Sequence, residues 1–147
     1  MVLSVGGIMF ANDDENYYEV TMLLNRFKVP MSMLGFEYLR SAVLGCLNDD
    51  KLNESITKNI YPFLAEKYNT NVQHVERNIR NAIQRAYELD GFYFINEIFD
   101  MVIYNNKYSF SNGEMIFILV GIMKIKIAKK QLAEKEELQQ VEERAFV

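Results

Sequence analysis

Histidine and cysteine each occur once in these 147 residues, proline occurs twice, and no apolar run approaches membrane length. Cys46 lies in the run Ala42-Val-Leu-Gly-Cys-Leu47 and has no partner for an internal disulfide, so it reads as a buried, reduced thiol. With His74 alone, histidine-based metal clusters are excluded, and no metal or other cofactor is expected. The longest apolar run, Met115 to Met123, falls far short of the ~20 residues that a membrane span needs. No N-terminal stretch joins a basic start to an apolar core, so no signal peptide is expected and the chain reads as cytoplasmic. Glycine-rich phosphate loops are missing. The carboxylate pairs Asp13-Asp14, Asp49-Asp50 and Glu136-Glu137 sit in polar turns or tails, where solvation is their ordinary state. Nothing here points to an enzyme.

Positive charge is also scarce, since the net charge is −4, but its distribution matters more than its sum. Residues 1–57 hold eight acids against four bases, and residues 88–147 ten acids against seven. Only residues 58–87 are net positive, with Lys58, Lys67, Arg77, Arg80 and Arg85 against Glu66 and Glu76.

Half the residues are apolar, which suffices for one domain with its own core. The expected fold is all-α: a compact six-helix domain containing a helix-turn-helix, with a long charged C-terminal helix. Residues 1–15 read as a poorly packed leader, 16–127 as the domain and 128–147 as a charged helical tail. Apolar spacing predicts helices over Asn16 to Lys28 and Met33 to Leu47, the first ended by Val29-Pro30. On the second, Leu34, Tyr38, Leu39, Ala42, Val43, Cys46 and Leu47 form the expected inner face. A short helix over Asn53 to Ile60 precedes another that starts at Pro62, whose missing N–H costs nothing in a first turn. Phe92 to Met101 reads as a short buried helix and Tyr104 to Lys107 as a turn. Ser111-Asn-Gly-Glu114 has the spacing of a capping box that opens the last helix. Lys124, Lys126, Lys129 and Lys130 form a basic cluster on that helix. A solvated face is the favoured reading for it, over contact with a DNA backbone or an acidic partner.

The most informative stretch runs from Tyr61 to Arg80. It predicts a helix to about Tyr68, a turn in which Asn69 adopts the left-handed conformation, and a helix Val72–Glu88 capped by Asn71. Ala65 is the small residue expected where the two helices touch, with Val75, Ile79, Ala82 and Ala86 as the inner stripe. The outer stripe holds Gln73, Arg77, Arg80 and Gln84, with His74 and Glu76 beside it. Arginine can pair with guanine, glutamine with adenine, and glutamate can accept from the amino group of cytosine. In helix-turn-helix proteins the second helix enters the major groove.

Val75-Glu-Arg-Asn-Ile-Arg-Asn-Ala-Ile83, Ile56-Thr-Lys-Asn-Ile-Tyr-Pro62 and Glu37-Tyr-Leu-Arg40 together resemble the C-terminal DNA-binding domain of the stage zero sporulation protein A family. The resemblance spans about residues 16–125. It implies a six-helix DNA-binding domain that recognises a short duplex element, often as tandem dimers, and acts through RNA polymerase sigma factors. Carried over, Glu76, Arg77 and Arg80 fall on base-reading and phosphate-contacting positions, while His74 stands where well-known members have arginine. The region between Gly91 and Ser111 departs most from the family. No phosphoreceiver is expected: an acidic pair follows Ile8-Met-Phe, but no phosphoacceptor aspartate with partnering threonine and lysine comes after it.

The sequence therefore predicts a sequence-specific regulator of the sporulation-initiation type that binds double-stranded DNA. Its expected DNA-binding residues are Asn71, Gln73, His74, Glu76, Arg77, Arg80 and Gln84, its further partners a sigma factor and a second copy in a homodimer or tandem dimer. The alternative is a protein-interaction module that heterodimerises with a full-length sporulation regulator.

Overall fold

Apolar residues recurring at helical spacing fold into six α-helices, and no strand occurs among the described residues. The computed structural model describes residues 2–105 and 108–146, with side chains from Asp13 onward. Helix α1 (Val2–Arg26) begins well before the expected Asn16, so the backbone of the expected leader is helical from Val2. How the side chains of residues 1–12 pack lies outside the described residues, as do Asn106 and Lys107 of the expected turn.

Val20, Leu23 and Leu24 form the buried stripe of α1, and Phe27, just past its end, continues it. The helix stops because Lys28 turns left-handed (φ 61°), and Val29 N–H then donates back to the Leu24 carbonyl at 3.0 Å. Helix α2 (Leu34–Asn48) packs at the centre against α1, and later helices close over it. Its inner face differs from expectation at the start. Leu34 is half exposed, and the buried residues of that turn are Gly35 and Phe36.

The expected short helix over Asn53 to Ile60 is two different turns. A 3-10 turn, Leu52–Glu54, comes first, and a single π turn, Ile56–Ile60, follows. The π turn runs without a break into α3 (Tyr61–Lys67). Proline explains the widening, because Pro62 has no N–H and its ring crowds the carbonyl four residues back. Ile60 and Tyr61 N–H accordingly reach five residues back, to the carbonyls of Ser55 and Ile56.

Two residues past the end of helix α4 (Val72–Glu88), Asp90 takes the left-handed conformation (φ 60°), so that Gly91 can approach the end of α1. A β-carbon on Gly91 would stand 1.8 Å from the Phe27 carbonyl oxygen, so only glycine fits there. The single buried helix expected over Phe92 to Met101 is a 3-10 turn, Gly91–Tyr93, followed by the short α5 (Phe94–Phe99). Tyr93, Phe99 and Met101 are exposed rather than buried. Phe92 stacks on Phe110 at 4.3 Å, and Tyr104 meets both rings edge-on. Asn96 fixes the return of the chain by accepting from Ile103 and Tyr104 N–H and donating to the Tyr104 carbonyl.

Helix α6 (Asn112–Ala145) opens with the expected capping box: Ser111 and Glu114 bond each other's backbone N–H at 3.0 and 3.1 Å. Met115, Ile116, Leu119, Val120, Ile122 and Met123 pack on the core, whereas every residue from Ala128 to Phe146 is exposed.

Candidate nucleic-acid interface

Helices α3 and α4 form the helix-turn-helix. Asn69 is left-handed (φ 51°), and Thr70 N–H donates to the Ala65 carbonyl at 2.9 Å, which closes the turn. Asn71 is extended and its side-chain oxygen accepts from His74 N–H at 2.8 Å, so it caps α4. Val75, Ile79, Ala82 and Ala86 have no exposed surface. Helix–helix contact forces that spacing: the stripe locks α4 onto α2, α3 and α6 and leaves the opposite face to solvent.

Gln73, Arg77, Arg80 and Gln84 are all exposed on that opposite face. Asn81 is exposed too. Sequence reasoning missed it, although its position one turn beyond Arg77 carries the signal. Glu76 is half-buried and forms an ion pair with Arg80 one turn on. Arg77 makes no ion pair among the described residues. His74 behaves differently from its neighbours: it is half-buried, and its ring meets that of Tyr38 edge-on at 6.1 Å. Tyr38 in turn packs edge-on against Tyr68 at 5.0 Å, and the Tyr68 hydroxyl bonds Ser41. Burial, then the nearby Tyr68 and Glu37, push the Tyr38 hydroxyl above its usual pKa. His74 thus leans toward the junction of α2 and α3, whereas the arginines stand free of it.

Asn112 is a second residue that sequence reasoning missed. Its side-chain amide donates to the Tyr61 hydroxyl at 2.9 Å and to the Glu76 carbonyl at 3.0 Å. Burial raises the Tyr61 pKa, and the hydrogen bond from Asn112 opposes that shift.

The lysine cluster of α6 is mostly occupied. Lys126 bonds Glu19 at 3.3 Å, Lys130 pairs with Glu15, and Lys124 lies 3.8 Å from Asp50. Among the described residues no three His, Cys, Asp or Glu side chains gather as a metal ion would need. No described helix is long and apolar enough to cross a membrane.

Residues 20–123 match the family described as the sporulation initiation factor Spo0A C terminal. The chain belongs to that family. The Spo0A-type chain is a DNA-binding effector domain of transcription regulation in sporulation. The match includes the whole helix-turn-helix and ends at Met123, where the packed part of α6 also ends.

Proposed function

We propose that this domain binds double-stranded DNA sequence-specifically by placing α4 in the major groove. One observation carries the reading: α4 buries Val75, Ile79, Ala82 and Ala86 completely while Gln73, Arg77, Arg80 and Gln84 remain exposed opposite them. A helix about 25 Å long by its rise per residue, with arginines and amides on one face, suits a groove that displays paired acceptors and donors. Asn71 and Glu76 belong to the interface as well. Asn71 caps the end of α4 that enters first, and Glu76 holds Arg80 extended or accepts from cytosine. His74 contributes at the margin, through shape more than through charge. Lys58 and Lys67 are exposed on the preceding turn and helix, where they suit phosphate contacts.

Two protein partners belong to the same proposal. Contact with an RNA polymerase sigma factor follows from the resemblance, as does pairing of two copies on tandem sites.

Selection of bound duplexes from a random pool tests the proposal. Enrichment of one short element is the expected result. Recovery of unselected sequence would sink it and leave heterodimerisation with a full-length relative as the better reading.

A further inference from the structure

We propose that Asn112 is a positioning residue for the DNA-reading helix, an inference that rests on the major-groove reading above. Its amide carries two hydrogens, and the structure gives each an acceptor: the Tyr61 hydroxyl at 2.9 Å and the Glu76 carbonyl at 3.0 Å. One side chain thereby ties together the first turns of α3 and α6 and the second turn of α4. None of these anchors is loose. Tyr61 is only 6% exposed, and Met115, Ile116 and Leu119 seat α6 in the core just beyond Asn112. The capping box at Ser111 and Glu114 fixes the backbone that carries the amide.

The bond to α4 is made to backbone, so it sets the position of the helix rather than of one rotamer. It falls on Glu76, the residue whose carboxylate pairs with Arg80 and whose neighbour is Arg77. Base recognition tolerates errors of only about 0.5 Å before hydrogen bonds lengthen and bend. A tilt of ~3° moves a point 10 Å along a helix by about that distance. Phosphate contacts by flexible lysines absorb such a tilt, whereas paired contacts from Arg77 and Arg80 to base edges do not. Losing the clamp therefore blurs sequence preference while leaving general affinity for DNA.

The test is competition binding of the full chain to its selected duplex and to random duplex, for wild type, Asn112→Ala, Tyr61→Phe and Arg77→Ala. Asn112→Ala is expected to lose about tenfold affinity for the selected duplex and less than about twofold for random duplex. Circular dichroism checks that the variants fold. Should Asn112→Ala not fold, Tyr61→Phe removes one acceptor, keeps the ring, and is expected to lower the selected-to-random ratio about threefold. An unchanged ratio in the folded variants, or equal losses for both duplexes, overturns the clamp. A wild-type chain without any preference removes the major-groove reading itself. A preference that Arg77→Ala lowers and Asn112→Ala preserves removes the clamp alone.

Discussion

Gly35 of α2 lies directly against the backbone of Asn78 in α4: a β-carbon on it would stand 2.2 Å from the Asn78 carbonyl oxygen. The same atom would come 2.5 Å from the β-carbon of Ala82. Neither obstacle is the end of a flexible side chain, so relief requires the two helices to part. Gly35→Ala gains about 1 kcal/mol of helix propensity, but overpacking a tight crossing costs about 1–3 kcal/mol. The clash should win, and urea unfolding should show a lower midpoint for the variant. An equal or higher midpoint would mean that the crossing is looser than the geometry indicates.

Arg77 and Arg80 differ in their surroundings, and their alanine variants should differ too. Arg77 is exposed and stands apart from the Glu76 carboxylate, which Arg80 occupies. Arg77→Ala should weaken binding to the selected duplex by about 1–3 kcal/mol and relax one base position. Glu76→Ala should instead release Arg80, changing the preferred base while affinity for random duplex rises slightly, because a carboxylate near phosphates is removed. Repeating the duplex selection with each variant reads out both effects.

Much of this was legible because local chemistry decided it. The Asn71 cap, the left-handed Asn69, the Ser111–Glu114 box and the inner stripe from Val75 to Ala86 all follow from residue type and spacing. Gly35 was not legible: an apolar stripe favours Leu34, and only the close approach of a second helix turns a glycine into the core residue. The π turn before Pro62 escaped for a similar reason, since helix periodicity does not reveal one extra residue in a turn. Asn112 reads in sequence as the start of a helix. Its two partners are 51 and 36 residues away, and no local pattern announces them.

Cys46 has no exposed surface, and burial pushes its thiol up from 9.0 to about 11, with Lys124 opposing the shift. At pH 8 only about one folded molecule in a thousand would carry a thiolate, so thiol reagents should label Cys46 only after unfolding. Above pH 9 the unfolded chain releases a proton that the folded chain keeps, so stability falls as pH rises from 9 through 11. Burial also raises the Tyr38, Tyr61 and Tyr104 pKa values, which steepens the fall above pH 10. Urea midpoints at pH 8 and pH 10.5 check the sign. Cys46→Ala should remove part of the difference, and rapid labelling of the folded protein at pH 8 would contradict the burial.

The tail of α6 should be dispensable for DNA binding. Residues 128–146 are exposed throughout, and the ion pairs of Lys124, Lys126 and Lys130 all lie before Gln131. A chain ending at Gln131 should keep its melting temperature within a few degrees, since exposed helix contributes little beyond propensity. Its affinity for the selected duplex should stay within about twofold. Within the retained part, Lys126→Gln and Lys130→Gln should leave the salt dependence of DNA binding unchanged, because Glu19 and Glu15 already face those ammonium groups. Both pairs are exposed to solvent, which screens them, so stability should fall only slightly. If the two substitutions instead lowered the salt slope by about one unit each, the lysines would be contacting phosphates, and the interface would extend from α4 across to α6.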